Sequence, residues 1–180
     1  MAKKFVLTGG PSCGKTTLLL ALKEKGYSII AEAAEDVIKS YLEKGVKEPW
    51  KDLQKFQDEI LKLQLEREAN LAGEEVPIIL DRGTPDGYAY YLTSDVKPSL
   101  AMMQELERKK QQNDYSTIFL IEHLDFFEDT DVRRENLKEA IKIENTLEQI
   151  YKDLGYSVVR IKSKSVKERV EEILDFIKNS

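Results

Sequence analysis

Apolar residues fall along the chain in two alternating kinds of cluster. Five are short and nearly continuous: 4–8 (KFVLT), 27–32 (YSIIAE), 76–81 (VPIILD), 116–121 (STIFLI) and 156–161 (YSVVRI). Runs of this length and continuity predict strands of a parallel sheet covered on both faces. Between them apolar residues recur every three or four positions, which predicts helices over 14–25, 33–44, 50–72, 98–112, 131–154 and 165–178. The first two stop at Gly26 and Gly45, and the third at Gly73. Its stripe is Leu53, Phe56, Ile60 and Leu63, with Leu61 and Leu65 off it and free to support a homodimer. Residues 131–154 carry Leu137, Ile141, Leu147, Ile150 and Leu154; the last helix carries Val166, Val170, Ile173, Leu174 and Ile177.

Strands alternating with helices mean a parallel sheet with right-handed crossovers. There is no internal repeat and no low-complexity tract, and the whole of 1–180 reads as one α/β domain. Residues 33–75 are more than a simple crossover uses. They predict a helical insert that stands off the sheet and binds an acceptor.

Composition narrows the class. The chain is 41% hydrophobic and 34% charged, as a folded globular protein is. No apolar run reaches the roughly 18 residues of a membrane span, and the N-terminal residues do not read as a secretory signal. A single cysteine, Cys13, permits no internal disulfide and suits a reducing cytoplasm. A net charge of −5 with both signs interspersed argues against a nucleic-acid surface.

The first predicted strand runs into Gly9-Gly10-Pro11-Ser12-Cys13-Gly14-Lys15-Thr16, which is G-x-x-x-x-G-K-[ST]. A strand, this loop and then a helix form the phosphate-binding P-loop. Gly10 through Thr17 (Gly10, Pro11, Ser12, Cys13, Gly14, Lys15, Thr16, Thr17) are the expected nucleotide-binding residues. Lys15 places a cation on the outer phosphates, and Thr16 offers a hydroxyl to Mg²⁺.

The third strand ends in Asp81-Arg82-Gly83-Thr84-Pro85-Asp86. Function gathers at the carboxyl ends of strands in such sheets. Asp81, beside the P-loop if strands one and three are neighbours, can hold Mg²⁺ or take a proton from an attacking hydroxyl. Arg82 can neutralise phosphate charge. Glu32 ends strand two and can orient or deprotonate a hydroxyl, or can simply favour the dipole of the next helix. The stretch 122–134 turns from acidic to basic. Arg133 or Arg134 would serve a lid that closes over phosphates, or would pair with the acids before it. His123 has no histidine or cysteine partner for a zinc site. Tyr88, Tyr90 and Tyr91 can stack on an acceptor base or fill core, and Asp86 can bind an acceptor hydroxyl or cap a helix.

The P-loop, Glu32-Ala33-Ala34, Asp81-Arg82-Gly83 with Asp86-Gly87, Asp131…Arg133, Tyr151…Leu154-Gly155-Tyr156 and Arg169 together resemble the AAA-28 group of P-loop ATP-binding domains. They resemble the ribosylnicotinamide-kinase type, and more distantly deoxynucleoside and thymidylate kinases. The resemblance implies strand order 2-3-1-4-5. It implies ATP phosphates and Mg²⁺ on Gly14, Lys15, Thr16 and Thr17, an acid–arginine pair at Asp81 and Arg82, and an acceptor-activating carboxylate at Glu32. Deoxynucleoside kinases have Glu in that pair where this chain has Asp81 and then Gly83, so the division of labour between Glu32 and Asp81 stays open. The chain has no room for the small helical domain of ring-forming motors.

The expected function is transfer of the γ-phosphate of ATP·Mg²⁺ to a small hydroxyl or phosphate acceptor, a nucleoside or nucleotide. The alternative is a switch protein that hydrolyses ATP or GTP slowly, although neither DxxG after Asp81 nor N-K-x-D is present. A polynucleotide kinase is disfavoured by the charge.

Overall fold

The computed structural model describes residues 2–71, 73–123, 131–162 and 165–179, with the side chains of 131–137 outside the description. Strands β1 (Lys4–Thr8), β2 (Ser28–Ile30), β3 (Ile78–Asp81), β4 (Thr117–Ile121) and β5 (Val158–Ile161) form one sheet in the order β2-β3-β1-β4-β5. Every pairing is parallel. All five strands fall within the predicted runs. Their ends are trimmed: Pro77 has no N–H to give a ladder, and β3 begins after it.

The helices are α1 (Lys15–Glu24), α2 (Ala33–Glu43), α3 (Leu53–Asn70), α4 (Asp86–Leu92), α5 (Leu100–Gln112), α6 (Asp131–Asp153) and α7 (Val166–Lys178). The predicted helix at 50–72 is in two pieces. Pro49–Lys51 form one 3₁₀ turn, and Asp52 then caps α3 by accepting a hydrogen bond from the Lys55 N–H. Helix α4 is absent from the sequence prediction, because seven residues are too few for a periodic signal. Ser165 and Glu168 close a reciprocal capping box on α7.

Alternation along the strands sends side chains to two cores. Phe5, Leu7, Ile79, Phe119 and Ile121 face α1 and α7, where Leu18, Leu22, Ile173 and Ile177 cover them. Val6, Leu80, Ile118 and Leu120 face the opposite side, against Leu147, Ile150 and Tyr151 of α6. Ile141 is 44% exposed. The buried stripe of α6 runs through Ala140, Glu144, Leu147 and Tyr151, one position round from it.

Helices α2 and α3 pack on each other through Val37, Tyr41 and Phe56. The opposite side of α3 meets α4 and α5, where Leu61 is buried with Tyr91 and Met102 and Leu65 packs against them. Leu61 and Leu65 therefore pack inside the chain, Leu61 buried and Leu65 half-buried. A polar face of α3 was also hidden: Gln57, Gln64 and Glu68 recur with Leu61 at spacings of three and four, and all are buried.

Candidate active site

The chain reverses sharply between β1 and α1. Gly9 has φ +145°, Ser12 +59° and Gly14 +91°. A Cβ on Gly9 would lie 2.4 Å from the Ile121 carbonyl oxygen, so only glycine fits there. Gly14 is the N-cap of α1, and Leu18 is the first residue whose N–H reaches back to its carbonyl. The N–H groups of Lys15, Thr16 and Thr17 thus lack intrahelical partners, as an anion site needs. Pro11, Ser12, Thr16 and Thr17 are exposed around the loop, while Cys13 is buried beneath it. Lys15 is buried, and its Nζ donates to the Gly10 carbonyl at 2.8 Å and the Gly9 carbonyl at 3.3 Å. Its ammonium lies at the loop where phosphate oxygens would compete for it.

Parallel pairing of β1 and β3 sets Asp81 opposite Leu7, two residues before the loop begins. Asp81 is 2% exposed, and its Oδ1 has no hydrogen-bond partner among the described residues. Burial pushes its carboxyl up to about 6; Lys15 opposes that shift, Glu32 adds to it, and Arg82 and Asp86 act in turn against and with it. A buried carboxylate oxygen without a partner is a hard ligand suited to Mg²⁺, and with the Thr16 hydroxyl it would make two protein oxygens. Among the described residues no three His, Cys, Asp or Glu side chains converge on one point. An ion here would take its other ligands from phosphate and water, as Mg²⁺ does in nucleotide sites.

Arg82 occupies the left-handed region at φ +70°. Its N–H donates to the Leu7 carbonyl at 2.9 Å, and its carbonyl accepts from Gln64 Nε2 at 3.2 Å, so β1 and α3 hold the turn from both sides. Its guanidinium donates to Glu32 Oε1 at 2.7 Å, to Asp86 Oδ2 at 3.2 Å and to the Gly9 carbonyl at 3.3 Å. Burial works against this charge, but Asp86, Tyr90 and Glu32 outweigh it and hold the group above its ordinary value. Glu32 is the N-cap residue of α2 yet makes no side-chain capping bond. It is turned to Arg82 instead. Asp86 is buried and fully engaged, accepting from Thr8 at 2.7 Å, Tyr151 at 2.5 Å and Arg82.

Beyond this ion cluster lies a cavity of about 300 Å³. Helices α2 and α3 form one wall, and Arg82, Gly83 and Gly87 the other. Trp50, Phe56 and Tyr90 give it aromatic surface, and Gln57 is 3% exposed on its lining. Of the three clustered tyrosines, only Tyr90 lines it; Tyr91 is buried between α3 and α5. Sequence reading missed Gln57. The available signal was its place among Leu61, Gln64 and Glu68 on a helical stripe. Arg133 and Arg134 belong to α6, but their side chains lie outside the described residues, as do residues 124–130 of the expected lid. At the start of that segment the His123 N–H donates to Glu144, and Glu122 pairs with Arg160.

A parallel sheet in this order, a P-loop after β1 and an acid at the end of β3 define a P-loop nucleotide-binding domain of the kinase type. The chain belongs to the AAA_28 family, AAA domain, whose sequence pattern matches residues 4–169. Two solved structures of deoxyadenosine kinase from M. mycoides share its fold. The one with products dCMP and a flexible dCDP bound is 16% identical, with a TM-score of 0.64, and covers 98% of this chain and 100% of its own. The one with bound dATP is 18% identical, with a TM-score of 0.61 and the same coverage. No curated protein matches the chain. No helix among the described residues is long and apolar enough to cross a membrane.

Proposed function

We propose that this protein transfers the γ-phosphate of ATP to a hydroxyl of an uncharged acceptor, a nucleoside. The observation that carries this reading is the reach of Arg82, which lines the cavity and hydrogen-bonds the Gly9 carbonyl of the P-loop. A kinase needs donor phosphate and acceptor hydroxyl at one junction. The cavity also selects by charge. Among the described residues Arg82 is its only cationic lining residue, faced by two carboxylates, Glu32 and Asp86, and paired with both. An acceptor phosphate would have to break these pairs, whereas a neutral sugar and base would not. The aromatic walls and the buried Gln57 amide suit a flat heterocycle.

Glu32 and Asp81 then divide the work. Glu32 lines the cavity and is the base; Asp81 does not line it and, with Thr16, would hold Mg²⁺. The acceptor oxygen attacks the γ-phosphorus, the bond to the β–γ bridging oxygen breaks, ADP leaves, and the acceptor proton passes to Glu32. Bound Mg²⁺ would neutralise charge on the β- and γ-phosphates. Lys15 and the N–H groups of Lys15, Thr16 and Thr17 hold the phosphates in line. A lid arginine, Arg133 or Arg134, would add charge stabilisation in the transition state.

Phosphorus NMR of ATP·Mg²⁺ with a pool of nucleosides, nucleotides and ribosides tests this, with Lys15→Ala as the control. A phosphate ester formed from a nucleoside by the unsubstituted protein alone is the expected result. Inorganic phosphate released slowly, whatever the pool holds, would replace the kinase reading with a switch NTPase. Esters formed only from nucleoside monophosphates would overturn the charge argument.

A further inference from the structure

Arg169 lies on α7, does not line the cavity, and is 2% exposed. Its guanidinium donates to three carbonyls. Nη1 reaches Cys13 in the P-loop at 2.9 Å, Nη2 reaches Glu122 just past β4 at 3.0 Å, and Nε reaches Lys162 just past β5 at 3.2 Å. A Cβ placed on Gly14 would be 3.9 Å from Nη1, so the cation sits directly beneath the turn into α1. Burial pulls this guanidinium below its ordinary value, with Cys13, Glu122, Glu144 and Glu172 opposing. Arginine nevertheless stays charged in proteins.

We propose that Arg169 is a positioning residue for the nucleotide triphosphate: it ties the P-loop to the ends of β4 and β5 and places a buried positive charge behind the phosphate seat. Three features carry this. Its bonds go to backbone of three separate loops, each from a different nitrogen of the planar fork, whereas a lysine has one nitrogen to offer. Cys13 and Gly14 immediately precede the N–H groups that would bind phosphate, so a shift of the Cys13 peptide moves those donors. A fixed cation in a buried site is worth more to an anion than one in solvent. The inference rests on the phosphotransferase reading only in needing a triphosphate ligand.

The test is calorimetric titration of the folded protein with ATP·Mg²⁺ and with inorganic tripolyphosphate·Mg²⁺, comparing the unsubstituted protein with Arg169→Gln and Arg169→Lys. Circular dichroism checks that each variant is folded. Arg169→Gln should bind both ligands at least tenfold more weakly, and Arg169→Lys, which keeps the charge with fewer bonds, should fall between. Unchanged tripolyphosphate binding by folded Arg169→Gln overturns the proposal. If Arg169→Gln does not fold, Arg169→Lys decides: a loss of threefold or more is expected, and unchanged affinity overturns it. Tight binding by all three proteins without any transfer activity would instead count against the kinase reading while refuting the role of Arg169. An unsubstituted protein that binds neither ligand would overturn both.

Discussion

Asp81 carries a carboxylate into a buried place with one oxygen left without a partner among the described residues, which costs free energy. Its carboxyl stands at about 6 against an ordinary 3.8. The folded-state value is raised, so the folded protein binds more protons than the unfolded chain between these two values. Stability therefore falls as pH rises from about 4 to about 6, and the loss persists above, on the order of 3 kcal/mol for a shift of this size. Asp81→Asn should remove that dependence. Its thermal midpoint should exceed that of the unsubstituted protein at pH 7.5, and the two should converge near pH 4, while phosphoryl transfer falls about 10²-fold or more. A variant less stable at pH 7.5 would contradict this. Glu32→Gln isolates the other acid. We expect kcat to drop by about 10²–10⁴-fold with ATP affinity unchanged, as single-turnover rates and direct titration would report.

At the scale of elements, the turn after β3 is crowded by helix α6 and by the segment that leads from α5 into β4. A Cβ on Gly83 would lie 2.4 Å from the Tyr151 hydroxyl and 3.0 Å from the Tyr115 ring. Both tyrosines are buried, and both hydroxyls are already bonded, Tyr151 to Asp86 and Tyr115 to Glu68. Gly83→Ala should cost about 1–3 kcal/mol, read as a lowered denaturant midpoint with an unchanged slope. Helix α3 presents the opposite case, an element whose polar residues face inward. Gln64 holds the Arg82 carbonyl, and Glu68 accepts from Tyr115, whereas Gln57 lines the cavity. Gln57→Leu keeps the size and removes the amide. It should leave the fold and the KM for ATP in place and raise the KM for the acceptor; steady-state kinetics with both substrates varied would expose any other pattern.

Across the whole molecule, a second ion cluster locks the far side of α3 to α5 and the sheet. Lys109 is fully buried, with Glu68 at 3.3 Å, Asp114 at 3.1 Å and its ammonium 3.6 Å from the Tyr115 ring centroid. Burial lowers its ordinary value, and the two acids resist that. Lys109→Ala would remove the buried cation and leave Glu68 with Lys4 at 3.2 Å and Asp114 with Arg108 at 3.7 Å, so a loss of about 3 kcal/mol, the low end for a broken buried pair, is expected, visible in equilibrium unfolding. Tyr115 links this cluster to the turn, since its hydroxyl accepts from the Thr84 N–H at 3.2 Å. None of this was legible in the chain. The alternation of apolar runs with helical stripes determined the sheet, its flanking helices and the phosphate loop, because those depend on periodicities of two and 3.6 and on glycines a few residues apart. Only the tertiary structure decided that Glu32 meets Arg82, 50 residues away, that Arg169 reaches Cys13 across 156, and that Gln57 lines a cavity. Such contacts arise from how helices land on a twisted sheet, and a local pattern of polar and apolar residues does not encode where the side chains of one helix meet those of another.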